Sequence, residues 1–119
     1  MKITIRDRKE VLNEFAYTLA KALKGERVYH HKELSFANVY TLRKFLTEKR
    51  IELLHIIKHH NPESMYELAK IANRDFKSIS TDISILKNLD LVSLEKINDE
   101  RKKVKPKVEF NRINVEIII

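Results

Sequence analysis

Apolar side chains recur along this chain in two rhythms, one of three to four residues and one of two. The slower rhythm marks amphipathic helices and the faster one half-buried strands. Val11, Leu12, Phe15, Leu19, Ala22 and Leu23 make one stripe of a helix over about 8–24. Asp7 and Glu10 form a capping box at its start, and Gly25 suits its end. Val39, Leu42, Phe45 and Leu46 predict a short helix near 38–46. Thr47 is a good N-cap for a third helix, which Asn61-Pro62 stops. Its apolar residues Ile51, Leu53, Leu54, Ile56 and Ile57 cover more than one stripe, so it is expected to be packed on two sides. Ser64 to Glu67 is a second capping box, opening a short helix with Met65, Leu68, Ala69 and Ala72 inward. Asp75 caps a longer helix over about 76–89, with Phe76, Ile79, Ile83, Leu86 and Leu89 as its buried face.

The faster rhythm falls at the ends of the chain. Residues 2–5 and about 32–36 read as short strands. Leu91 to Ile97 alternates and closes on the turn signal Asn98-Asp99. Residues 107–110 are its expected antiparallel return. Ile113, Val115, Ile117 and Ile119 alternate strictly, but the phase slips at Asn111-Arg112, which predicts a separate final strand. The first and last strands are each too short or too apolar to stand alone, so they are expected to share one small sheet. The chain thus divides into 1–46, an N-terminal strand–helix extension, and 47–119, a helical domain with a hairpin and a C-terminal strand.

Composition narrows the function classes. The 119 residues are 43% hydrophobic, enough for a packed core. Cysteine is absent, which excludes disulfides, thiolate metal sites and cysteine catalysis. A single Gly excludes Walker and dinucleotide-binding loops. No apolar run nears the ~18 residues of a membrane span, so a soluble, cytoplasmic protein with no membrane partner is expected. The bias toward Ile, Lys and Glu, with no Cys, fits a thermophile as a matter of composition.

The net charge of +7 points to an anionic partner, and its distribution is uneven. Residues 1–46 hold 10 bases and 5 acids, 47–90 hold 7 of each, and 91–119 hold 7 and 5. Arg101, Lys102, Lys103, Lys105 and Lys107 form one dense run without an acid. A lone basic run is usually a solvated turn. Here it lies between two strand-like segments, after a helix, a capped short helix, a tight turn and a longer helix. That order is the layout of a winged helix-turn-helix. The second helix of the pair presents Lys77, Ser78, Ser80, Thr81 and Ser84 outward, with Asp82 the one acid nearby. Such donors and acceptors suit a major groove, and the basic turn suits phosphates.

Leu46 to Leu54, Tyr66-Glu67-Leu68-Ala69, Arg74-Asp75-Phe76-Lys77 and Leu89-Asp90-Leu91-Val92 resemble a MarR-like group of small archaeal and bacterial predicted regulators. The resemblance covers most of the chain and is strongest over 45–92. It implies an α+β winged helix-turn-helix with an N-terminal strand–helix extension and a small antiparallel sheet. It also implies a transcription regulator of double-stranded DNA, or the DNA-binding antitoxin of a toxin–antitoxin pair with a toxin protein as a further partner. A homodimer is expected, with the 8–24 helix and Ile85 as contacts. Two departures stand out. Asp90 occupies the place of a Gly after the recognition helix, where Asp tolerates the left-handed conformation. The recognition helix lacks an Arg, with Thr81 where many relatives carry a larger polar group, which weakens guanine reading.

Other constellations carry less. His55 and His59 stand at i and i+4, with His60 adjacent and His30-His31 earlier, but no third metal ligand is fixed. Capping explains Glu67, and no Ser–His–acid set can be placed. Neither an enzyme nor a cofactor is expected. Tyr17, Tyr29, Tyr40 and Tyr66 are too scattered for a base-stacking platform. A winged helix used only for protein contacts is the remaining alternative, favoured by the neutral 47–90 segment.

Overall fold

The computed structural model describes residues 1–6, 33–97 and 103–119. The expected helix at 8–24 and the cations Arg101 and Lys102 lie outside these residues. The described elements are β1 (Lys2–Ile5), β2 (Glu33–Phe36), α1 (Val39–Phe45), α2 (Glu48–His60), α3 (Met65–Ala72), α4 (Phe76–Asn88), β3 (Ser93–Lys96), β4 (Val104–Lys107) and β5 (Asn114–Ile117). The class is mixed α/β, with helices and small sheets. The chain divides into two compact units, Met1–Lys44 with Phe110–Ile119, and Phe45–Glu109. The last strand thus groups with the N-terminal residues, which differs from a division that leaves 113–119 with the helical segment.

In the first unit the strands lie in the order β2-β1-β5. Both ladders are parallel, Ile3 facing Leu34 on one side and Val115 on the other. The first and last strands do share a sheet, but it is not antiparallel. Parallel neighbours need a connection of about a dozen residues or more, and the segment between β1 and β2 is long enough. The register puts Ile3, Ile5, Leu34, Phe36, Val115 and Ile117 on one face. The other face is polar: Thr4 Oγ1 donates to Glu33 Oε1 at 2.7 Å, and Lys2 pairs with Glu116 at 2.9 Å. Central β1 is buried on both faces, from Ile3 through Ile5.

The second unit is built on capped helices. Thr47 Oγ1 accepts from the Arg50 N–H at 3.3 Å, Ser64 Oγ from Glu67 N–H at 3.1 Å, and Asp75 Oδ2 from Ser78 N–H at 3.0 Å. Each cap satisfies an amide that has no partner within its helix. Glu67 Oε2 returns to the Glu63 N–H at 3.2 Å, one residue beyond a strict capping box. Asn61, Asn73 and Asp90 end the helices at positive φ (47°, 55° and 59°). Asp90 therefore does take the left-handed turn.

The core of this unit is Leu53, Leu54, Ile57, Leu68, Ala69, Ile79, Ile83, Leu86, Leu91 and Val92. α2 buries one stripe rather than two sides: Ile51 is exposed and Ile56 half-buried. Phe76 also leaves the expected core. It sits 40% exposed at the first turn of α4, its ring stacked on Tyr66 at 4.3 Å.

β3 and β4 form a two-stranded antiparallel ribbon, pairing Ser93 with Lys107 and Glu95 with Lys105. The return strand is Val104–Lys107, not 107–110. Most of the described basic run is therefore strand body rather than turn. The reason lies in alternation: Val104 and Pro106 pair with Lys96 and Leu94 on one face, leaving the lysines of β4 on the other. Ile97 N–H donates to Lys103 O at 2.9 Å, so Pro106 opposite Leu94 falls at a position that makes no ladder bond.

Candidate functional site

α4 presents three sectors at about 100° per residue. Ile79, Ile83 and Leu86 point into the core and are buried. Lys77, Ser80, Thr81 and Ser84 share the opposite arc, Ser80 half-buried and the other three exposed. Ser78 lies on the flank, beside Asp82. The five predicted residues are thus not one face: four come together and Ser78 turns aside. Its hydroxyl accepts from the Arg74 guanidinium at 2.6 Å. Thr81 Oγ1 donates to its own helix at Lys77 O, 3.0 Å away.

Asp82 is held from two sides. Arg50 Nε reaches Oδ1 at 3.1 Å, and an Arg74 terminal nitrogen reaches Oδ2 at 2.6 Å. The three side chains are only 13–20% exposed. Burial pushes the Asp82 carboxyl up, but the hydrogen bonds and charges of Arg74 and Arg50 outweigh it and hold the group below its ordinary value. This network ties α2, the α3–α4 turn and α4 together. An open depression of about 330 Å³ at the start of α4 is lined by Asp75, Lys77, Ser78, Thr81 and Asp82. Both acids in it are engaged, Asp75 as a helix cap and Asp82 by the arginines.

Lys103, Lys105 and Lys107 share the outward face of the ribbon, each half-buried along its stem. Glu95 is the acid among them. It pairs with Lys107 at 2.6 Å, which raises the lysine pKa and lowers that of the glutamate.

Sequence reasoning missed Arg50 and Arg74. The spacing Arg74, Ser78, Asp82 is a signal it could have used, since residues four apart face each other on a helix. The exposed Tyr66–Phe76 stack was masked because Phe76 fits the phase of the buried stripe.

Elsewhere, His55 and His59 stack at 6.3 Å. Among the described residues no group of three His, Asp or Glu is arranged to hold a metal ion, and no helix is long and apolar enough to cross a membrane.

These features define a small mixed α/β protein whose second unit shows a hydroxyl-bearing helix face and a lysine-bearing ribbon. Residues 45–115 match the model of the HVO_A0114 family, and the chain belongs to that family. Comparison with curated proteins and with solved structures gives no match.

Proposed function

We propose that this protein is a sequence-specific regulator of double-stranded DNA, its second unit acting as a winged helix-turn-helix. In this reading α3 and α4 are the helix pair and the β3–β4 ribbon is the wing. Lys77, Ser80, Thr81 and Ser84 enter the major groove, while Lys103, Lys105 and Lys107 contact phosphates. The observation that carries the reading is the fate of Asp82. It is the one acid within α4, and a free carboxylate there would repel phosphate. Arg50 and Arg74 neutralise it from within, so the outward arc carries Lys77 and hydroxyls without an uncompensated negative charge.

The test is fluorescence anisotropy with random duplex DNA at two salt concentrations, followed by selection from a random pool. The expected result is binding that weakens steeply with salt and a selected consensus that binds at least ~10³-fold tighter than random duplex. Absence of duplex binding at low salt overturns it.

One observation favours a second reading. The stacked pair Tyr66 and Phe76 is 72% and 40% exposed, as an anchor for a protein partner would be. The same anisotropy experiment separates a winged helix used only for protein contacts, which leaves duplex DNA unbound.

A further inference from the structure

β5 is an edge strand that nothing described protects. Its inner side is paired: Asn114 N–H donates to Met1 O and Ile118 N–H to Ile5 O, each at 3.0 Å. Backbone groups alternate sides along a strand. The N–H and C=O groups of Val115, Ile117 and Ile119 therefore line the outer edge, and no described strand pairs with them. Natural sheets blunt such an edge with Pro, Lys, a bulge or a covering segment. β5 carries no Pro or Lys.

The side chains of the same residues are apolar and open. Val115 is 51% exposed and Ile117 57%, while Ile118 is 49% exposed and Ile119 fully so. Val115 and Ile117 lie on the face whose other members, Ile3, Ile5 and Phe36, are buried. The apolar face thus continues across β1 and stops uncovered at β5.

We propose that a second copy of this chain completes the sheet, the two β5 strands pairing antiparallel about a two-fold axis at Ile117. The backbone demands a register in which odd positions face odd positions, because those carry the free groups. Centring on Ile117 sets Ile117 against its own counterpart and Val115 against Ile119 of the other copy. One unbroken apolar row results. The same register keeps the two Glu116 side chains apart, each opposite Ile118 of the other copy and each already neutralised by Lys2 at 2.9 Å. A register centred on Glu116 would oppose two carboxylates directly, which is unfavourable. Complete burial of Val115 and Ile117 to Ile119 sets an upper limit on the order of 500 Å² per copy, or about 1,000 Å² for the pair, which is the lower bound of a specific interface.

The full chain lacks cysteine, so single cysteines report the geometry without background. Facing residues in an antiparallel pair lie about 5.5 Å apart at Cα, within disulfide reach. Ile117→Cys is expected to cross-link to a dimer under mild oxidant, and Ile118→Cys is not, because it faces Glu116. Sedimentation of the unmodified chain should show a concentration-dependent dimer. Ile117→Lys should raise its dissociation constant about 30-fold or more, as loss of a central contact does. A chain that stays monomeric overturns the proposal, as a partner of another kind on this edge would leave it. So does equal cross-linking of the two cysteine variants, or a dimer that Ile117→Cys fails to trap. Both cysteine variants keep the edge apolar, so the comparison stands even if the lysine variant misfolds.

Discussion

Arg74 and Asp82 are eight residues apart in sequence and meet at 2.6 Å, the first ahead of α4 and the second within it. The Arg74 guanidinium reaches forward along the helix, meeting Ser78 and the acid together. Arg50 closes on the same carboxylate from α2. Removing one member of such a pair strands the others in a partly buried site. Asp82→Asn is expected to cost about 2 kcal/mol, below the 3–5 kcal/mol of a fully buried pair because these side chains keep some solvent. Urea unfolding checks this as a fall in midpoint at constant slope. A change under ~0.5 kcal/mol would show the network to be ornamental.

The same carboxylate sets an acid limit. The folded pKa of Asp82 lies below its ordinary value near 3.8. The unfolded chain therefore takes up the proton first as pH falls, and its proton uptake favours unfolding. The contribution is complete above about pH 5 and is lost as pH drops through the folded value. Stability measured between pH 6 and 2 should fall more for the native chain than for Asp82→Asn. Parallel curves would assign the acid sensitivity to other carboxylates.

The caps were legible residue by residue. Thr47, Ser64 and Asp75 each announce a helix start, because a side-chain oxygen at that place is a local device that needs no tertiary partner. The strands at 2–5 and about 32–36, the latter observed at 33–36, and the union of first and last strands were legible too. Parallel pairing was not, since the alternation of Ile3, Ile5, Val115 and Ile117 fixes a face but not a direction. Charge misled at 104–107, where lysines on a strand's outer face look like a turn. Phase misled at Phe76, whose place on the stripe is right but whose helix end runs past the core. At the candidate site, the arc of Lys77, Thr81 and Ser84 was legible from the period. The Arg50 contact was not, because it joins positions 32 residues apart.

Asp90 tests the turn after α4. Its N–H donates to Lys87 O and that of Leu91 to Leu86 O, both at 3.0 Å, which closes a Schellman motif around a residue at φ 59°. Alanine at that φ meets a Cβ clash that Asp partly offsets and Gly avoids. Asp90→Ala should destabilise by about 1 kcal/mol, and Asp90→Gly should stay within about 0.5 kcal/mol of the native chain. Thermal melting distinguishes them, and equal effects would mean the turn relaxes to another conformation.

Glu95 restrains the ribbon's charge. Its pairing with Lys107 at 2.6 Å withholds one cation from a phosphate. On the DNA-binding reading, Glu95→Gln frees that lysine. Affinity for random duplex should rise about two- to fivefold, and the slope of log affinity against log salt should steepen by up to about one. Lys105→Ala should flatten the slope by a similar amount. Anisotropy titrations at several salt concentrations read both, and a Glu95→Gln protein with unchanged slope would remove Lys107 from the interface.

Thr81 gives the sharpest test of base reading. Its hydroxyl proton is already donated to Lys77 O at 3.0 Å, which leaves the methyl group to pack against a base and the hydroxyl oxygen able only to accept. Threonine methyls pack against the thymine methyl in the major groove. Thr81→Val keeps that methyl and gives up only an intrahelical bond. It should retain the preferred sequence within about twofold. Thr81→Ser keeps the hydroxyl and loses the methyl, and should forfeit about 1 kcal/mol of discrimination at one base pair, roughly fivefold in competition. Competition against single-base variants of the selected duplex measures both. If Thr81→Val relaxes the preference and Thr81→Ser does not, the hydroxyl rather than the methyl reads the base.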